Sequence, residues 1–243
     1  MPTGANLMDV WTLLSFGDQG WGDEIAWGVV VTVSLALATL PLGLTLGFFL
    51  AMAKQSREPS LRYAAEIYTT IFRGLPELLT LFIIFFGMQI GIQQVMQAMG
   101  FERGIEINAF VAGMIALGIV FSSYASEVFL SAFRAIPKGQ YEGGYAVGLP
   151  HGKVMRLVVL PQVIKIALPG LTNLWMILLK DTALVSAIGL SDTVRQTGVA
   201  ARVTKEAFLF YGLAFLLFLA LALLSSIVIN RIEQYGKRSE QMR

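Results

Sequence analysis

Two opposite charges, a glycine and a proline interrupt an apolar stretch in the first third of the chain: Arg73, Gly74, Pro76 and Glu77. Charged side chains are costly at membrane depth and normally face a cavity or a partner there. Two partners suit the Glu77 carboxylate, and the sequence leaves both open. One is a guanidinium or ammonium group of a bound molecule. The other is Arg73, which shares a helix face with Glu77 at this four-residue spacing; if a substrate cation displaces it, Arg73 can meet a carboxylate of the substrate.

Later apolar stretches hold two more polar groups. Glu127 follows hydroxyl side chains that include Ser123 and Tyr124, and these either line a translocation path or satisfy contacts between helices in lipid. Asn173 can hydrogen-bond a zwitterion, and the indole face of Trp175 attracts a cation. Ordinary packing is the alternative for Trp175.

The composition predicts a membrane protein. The chain has 243 residues, of which 56% are hydrophobic and 14% charged, whereas soluble domains carry roughly 25% charged residues. Residues 27–53 and 207–230 hold no charge, and each stretch exceeds the ~20 residues that span hydrocarbon. No cysteine and a single histidine argue against a disulfide framework or a zinc site. A net charge of +2 is too small to suggest nucleic acid.

Hydropathy predicts an all-α, polytopic fold with five transmembrane helices. They are expected at about 25–53, 63–91, 107–133, 157–180 and 207–231. Proline removes a backbone donor and clashes with the preceding turn, so discontinuous helices are expected at Pro76 and Pro169. The Met and Gln residues of 88–99 are expected to form an amphipathic outer segment after the second span.

Basic residues predict the orientation, because they mark the cytoplasmic side. One side of the bundle collects eleven of them: Lys54, Arg57, Arg62, Arg134, Lys138, Lys153, Arg156, Arg231, Lys237, Arg238 and Arg243. The other side collects four: Arg103, Arg195, Arg202 and Lys205. The N-terminus is therefore expected outside and the C-terminus inside. The predicted parts are an outer N-terminal segment (1–24), a transmembrane domain (25–235) with an inner loop (134–156), and a cytoplasmic tail (236–243).

No enzyme motif accompanies this organisation. The chain has no GxxxxGK[ST] phosphate loop, no HExxH and no GxSxG. We therefore expect no catalysis by this chain, and active transport would take its energy from another subunit or from an ion gradient.

The inner loop contains a short predicted helix. It should run from about Gln140 to Val147 and stop at Gly148, with Pro150 following. A surface linker is the alternative interpretation of this spacing.

The segment Glu142–Pro161 resembles the EAA motif of ABC importer permeases. It reads E-G-G, three residues, G, nine residues, then V-x-L-P, where the family has E-A-A and I-x-L-P. The resemblance implies a coupling helix that fits a cleft on an ATP-binding subunit. Six residues are assigned to this contact: Glu142, Gly143, Gly144, Tyr145, Ala146 and Gly148.

Residues 25–235 resemble the five-span permeases for polar amino acids. Ser122–Gln140 resembles their pattern of tyrosine, alanine, an acid and then I-P-K-G-Q, and Leu178–Asp192 resembles their K-D-T-x-L-V-S signature. The acid after Pro76 resembles the Q-type subunits that serve histidine, arginine, lysine, octopine and nopaline. A basic amino acid or an opine is the substrate that this implies.

The resemblance also implies the partners and the location. They are an ATPase dimer that binds ATP and magnesium, a second M-type permease or a copy of this chain, a periplasmic binding protein and membrane lipid. The chain itself would hold no cofactor and would lie in a bacterial inner membrane. Lys180 and Asp181 are expected at the outer end of span four, where they either pair with each other or help to dock the binding protein. The alternatives are a permease for neutral or acidic polar amino acids and an ion-coupled secondary transporter.

Overall fold

The computed structural model describes residues 7–100 and 106–241, with side chains from 10 to 231. Arg103, Lys237, Arg238 and Arg243, which enter the charge count, lie outside the described side chains. The helices are α1 (Leu7–Leu13), α2 (Gly22–Lys54), α3 (Pro59–Gly74), α4 (Glu77–Ala98), α5 (Ala109–Ala135), α6 (Lys138–Ala146), α7 (His151–Val154), α8 (Leu160–Asp181), α9 (Thr193–Thr204) and α10 (Ala207–Gln241). A π-helical turn (Met155–Val159) joins α7 to α8, and a 3₁₀ helix (Thr182–Ile188) continues α8. The described ranges contain no strand.

Five segments are long and apolar enough to cross a membrane, which confirms the predicted number of spans. They are Gly22–Lys54, Glu77–Ala98, Ala109–Ala135, His151–Ile188 and Ala207–Arg231.

The second span differs from its predicted bounds of 63–91. The helix ends at Gly74 and a new one begins at Glu77, so the predicted break near Pro76 is confirmed. Only α4 is apolar enough to span, because α3 carries charged residues among its apolar ones. The predicted separate segment at 88–99 is wrong, since those residues continue α4 to Ala98.

The fourth span is continuous at Pro169, so the break predicted there is wrong. Its irregular part lies earlier, in the π-helical turn that precedes Pro161. Pro161 removes one backbone N–H donor from this continuous helical run, directly after the wider hydrogen-bond spacing of the π-helical turn.

The most buried span is α5, and α2 packs along it in parallel. Two glycines of α2 one turn apart, Gly43 and Gly47, lie against Phe121 and Ala125. A Cβ on Gly47 would lie 2.8 Å from the Ala125 Cβ, so a larger residue there would push the helices apart. Small residues at this spacing let backbones approach closely in lipid, where packing drives association.

A short return helix, α9, closes the end of the bundle opposite to Lys54. Asp192 is fully buried and caps α9 by accepting hydrogen bonds from the N–H groups of Val194 and Arg195. Thr32 and Thr193 share a hydrogen bond of 2.8 Å between α2 and α9. Burial raises the pKa of Asp192 to about 6, against the opposing effect of these N–H donors.

We expect Asp192 to make stability pH-dependent. Its folded pKa lies above the unfolded value of about 3.9, so the stabilisation by the bound proton is complete below about pH 4 and lost as the pH rises through about 6. Asp192→Asn keeps a capping oxygen without the charge, so its thermal unfolding midpoint relative to the wild type should rise between pH 5 and pH 8. Asp192→Ala should instead cost about 1 kcal/mol through loss of the cap. A pH-independent difference for the Asn variant would contradict this.

Candidate functional site

Three polar side chains converge on a small recess near the midpoint of α5. Glu77 comes from the start of α4, Tyr124 from α5 and Asp181 from the last residue of α8. The remaining lining is apolar: Leu117, Val120, Phe121, Leu174, Ile177 and Leu178. The recess therefore places two carboxyl groups in an apolar setting.

The break between α3 and α4 positions Glu77. Leu75 is extended (φ −93°, ψ 145°), as a residue before proline prefers to be, and Pro76 stands at the N-cap of α4. Glu77 thus occupies the first turn of α4, where the free N–H groups of a helix favour a negative charge.

The carboxyl groups of Glu77 and Asp181 both line this small recess. Two carboxylates so close repel each other unless a proton or a cation lies between them. Lys180 and Asp181 are the last two residues of α8, and the span continues from there to Ile188 as a 3₁₀ helix. Asp181 lines the recess, and the docking role of the two residues stays a prediction. Lys180 is exposed on another face of α8.

The pairing of Arg73 with Glu77, one of the two alternatives for this carboxylate, does not form; Arg73 has another partner. Arg73 Nη1 lies 3.2 Å from Glu127 Oε1, and Lys54 Nζ lies 2.5 Å from the same oxygen. The Lys54 side chain is 5% exposed and that of Glu127 is 36% exposed. One carboxylate of α5 therefore holds the ends of both α2 and α3.

Arg73 connects this ion network to the recess. Its guanidinium carbon lies 5.6 Å from the centroid of the Tyr124 ring, at cation–π range. Because Tyr124 also lines the recess, the cationic group of Arg73 lies beside the carboxyl pair rather than in it.

Other predicted path residues take different places. The Ser123 hydroxyl is buried and donates to the Val120 carbonyl of its own helix at 2.6 Å. Trp175 lines an apolar groove between α2, α8 and α10, with Leu40 and Leu224 among its neighbours. Asn173 is exposed on α8 and lines neither space. The three do not join Glu77.

The loop between the third and fourth spans forms the predicted short helix, here α6. It ends as predicted at Gly148, whose φ of +79° is a left-handed conformation that favours glycine. The Gly148 N–H donates to the Tyr145 carbonyl, and the Leu149 N–H donates to the Gly144 carbonyl. This pair of hydrogen bonds is the Schellman motif of helix ends.

The two glycines that follow Glu142 differ in their surroundings. Gly144 is buried, and a Cβ there would lie 2.8 and 2.9 Å from the two methyl groups of Val154. Gly143 has open space around its Cβ position. Four of the other assigned residues are exposed: Glu142, Tyr145, Ala146 and Gly148. One face of α6 is thus exposed, and on the opposite face Gly144 packs against Val154 of α7.

No group of three or more His, Cys, Asp or Glu side chains that could hold a metal ion occurs within the described ranges. Two contributors to the site were not predicted in these roles: Lys54, which pairs with Glu127, and Asp181, which lines the recess. Lys54 ends a long uncharged span, and Asp181 lies in the quoted K-D-T signature, so both were visible as residues but not as partners.

The sequence of this chain is similar to those of known transport proteins. A family model described as binding-protein-dependent transport system inner membrane component matches residues 43–235. The nopaline transport system permease protein NocQ of Agrobacterium fabrum is 40% identical over 228 residues, which are 93% of this chain and 97% of that protein. The histidine/lysine/arginine/ornithine transport system permease protein HisQ of Salmonella typhimurium is 38% identical over 215 residues. These residues are 88% of this chain and 94% of that protein.

A solved structure is similar as well. It is the crystal structure of an amino acid ABC transporter with histidines, which matches with a TM-score of 0.75 at 30% identity. The match covers 88% of this chain and 95% of that chain.

We expect Glu127→Gln to destabilise the fold, because it leaves the buried Lys54 ammonium without its counter-charge. The loss should be about 2 kcal/mol, below the roughly 3–5 kcal/mol of fully buried pairs, since Glu127 is partly exposed. Exchanging both residues for apolar ones (Lys54→Met with Glu127→Leu) should recover most of that loss in the thermal unfolding midpoint. An equal loss in the double variant would argue against the ion pair as the cause.

The two glycines of α6 should respond in opposite ways to alanine. Gly143→Ala should stabilise α6 by about 0.5–1 kcal/mol through helix propensity. Gly144→Ala must displace Val154 and should cost about 1–3 kcal/mol. Hydrogen-exchange protection of the α6 amides measures both effects. Equal protection in the two variants would contradict the close packing of Gly144 against Val154.

Proposed function

Because the chain belongs to the family of binding-protein-dependent transport system inner membrane components, we propose that it is the permease subunit of an ABC importer for basic amino acids or arginine-derived opines. The names of its relatives support this substrate class, since they include permeases for nopaline and for histidine, lysine, arginine and ornithine. The alternative is a permease for uncharged or acidic polar amino acids, whose side chains would gain nothing from a negatively charged site.

The two carboxyl groups that line the recess, those of Glu77 and Asp181, carry the proposal of a positively charged cargo. A guanidinium or ammonium group entering the recess would replace their mutual repulsion with two charge-assisted hydrogen bonds. The apolar lining excludes water and strengthens those bonds. Arg73, on the Tyr124 ring beside the recess, is placed to meet the carboxylate of the same substrate.

The exposed face of α6 supports an ATP-binding partner. We place the ATPase dimer, with its ATP and magnesium, against Glu142, Tyr145 and Ala146. Closure of that dimer would move α6 as a rigid element and open the recess to each side in turn. The substrate undergoes no chemistry in this cycle, so this chain contributes no catalytic residue.

The remaining partners follow from the exposed membrane-depth surface. Only a small part of α4 is buried within this chain, and the large apolar side chains Ile83, Phe86 and Ile90 are exposed on it. We propose that a second permease subunit, of the M type or a copy of this chain, packs there, with lipid around the pair. A periplasmic binding protein would deliver the substrate to the side of α9, with the N-terminus outside the bacterial inner membrane.

We expect Glu77→Gln and Asp181→Asn each to raise the arginine concentration for half-maximal ATPase stimulation by about tenfold or more, the worth of a charge-assisted hydrogen bond. The assay uses the complete complex with its binding protein in proteoliposomes. Glu66→Gln, an exposed position on α3, provides the matched control and should respond like the wild type. Unchanged arginine dependence in both recess variants, or stimulation of the wild type only by uncharged or acidic amino acids, would overturn the proposal.

A further inference from the structure

Two glutamine side chains bridge α6 and α8. The Gln162 Nε2 donates to the Gln140 Oε1 at 3.0 Å and to the Val158 carbonyl at 2.8 Å. Gln140 lies in the first turns of α6, and Gln162 lies in the first turn of α8. One amide group therefore joins the loop helix to the fourth span.

The position of Gln162 follows from the irregular backbone at the start of the fourth span. Over Met155–Val159 the hydrogen bonds take the wider spacing of a π-helical turn, and the Leu160 N–H donates to the Met155 carbonyl. Pro161 then offers no N–H at all. A side-chain amide beside this irregularity supplies a donor to the Val158 carbonyl while it reaches Gln140. Short π-helical turns within helices are often found at functional sites.

Two further contacts hold α6 on the same side. Gly144 seats against Val154, and the Tyr145 hydroxyl bonds the His151 Nδ1 at 2.7 Å with the two rings stacked. All of these partners precede or begin α8, so α6, α7 and the start of α8 form one connected unit.

The link from α6 to α5 is different in kind. Ile136 and Pro137, which join the two helices, are both extended, with ψ angles of 120° and 142°. This connection is a backbone link rather than a side-chain bridge. Ile136 is buried and its N–H donates to the Phe133 carbonyl, and the ring of Pro137 fixes its own φ.

We infer that Gln140 and Gln162 are positioning residues that lock the loop helix to the fourth span, so that a displacement of α6 is carried to α8 and not only along the backbone to α5. This rests on the proposed function, in which a partner ATPase moves α6. The far end of α8 carries Asp181, so the lock connects the ATPase contact to one of the two carboxyl groups of the recess.

The test compares variants of the bridge in the complete transporter. Gln140→Leu removes the bridge and leaves the Gln162 bond to Val158, whereas Gln162→Leu removes both. A charged pair, Gln140→Glu with Gln162→Lys, replaces the bridge by an ion pair and keeps a donor for Val158. The readout is the number of substrate molecules imported per ATP hydrolysed, measured in proteoliposomes. A merely structural loss lowers import and substrate-dependent hydrolysis together and leaves their ratio unchanged.

We expect that ratio to fall about threefold or more in Gln140→Leu, the effect of one hydrogen bond, and to recover in the charged pair. Gln55→Leu is the matched control, because Gln55 is exposed near the end of α2 and bonds the Ala51 carbonyl of its own helix. A wild-type ratio in Gln140→Leu, or no recovery in the charged pair, overturns the inference. Failure of the proposed function looks different, since the wild-type complex itself would then show no import of basic amino acids or opines.

Discussion

The close approach of α2 and α5 is the constraint on which the other contacts depend. In lipid there is no hydrophobic drive to bring two apolar helices together, so the helices must gain from packing. Gly43 and Gly47 make that packing tight, with the backbone of α2 against Phe121 and Ala125. The parallel arrangement also brings Lys54, the last residue of α2, to Glu127 of α5. A wider separation of these helices would leave the ammonium of Lys54 buried without its counter-charge, which is far costlier than the pair itself.

That same helix, α5, organises the charges at membrane depth. Its Glu127 holds Lys54 and Arg73, while its Tyr124 lies between Arg73 and the recess that contains Glu77 and Asp181. Lys54 and Arg73 thus each have a neighbour of opposite charge, and Arg73 also has an aromatic face. The recess differs, because it brings together two carboxyl groups. Glu77 and Asp181 have each other, and two carboxyl groups satisfy one another only through a proton or a cation. This pair of acidic groups supports the proposal that the recess receives a cation.

Helix α8 connects the loop helix to the recess. Its start is tied to α6 through Gln162, and its last residue is Asp181. The span remains helical at Pro169, so a movement at one end is carried along a stiff element rather than lost at a kink. The irregular backbone lies instead at the π-helical turn, where side-chain contacts with α6 support it. This arrangement gives a physical route between the loop that resembles the EAA motif and the recess.

The sequence by itself determined the number of spans, the family, the break at Pro76 and the end of α6 at Gly148. Those features follow from local chemistry: apolar length, the missing N–H of proline and the left-handed backbone that glycine tolerates. Only the tertiary structure decided the partner of each charge. Arg73 met Glu127 instead of Glu77, and Asp181 turned inward to Glu77, because pairing depends on how helices distant in sequence rotate and cross. Once α3 ends before Pro76, the four-residue spacing from Arg73 to Glu77 no longer describes one helix face.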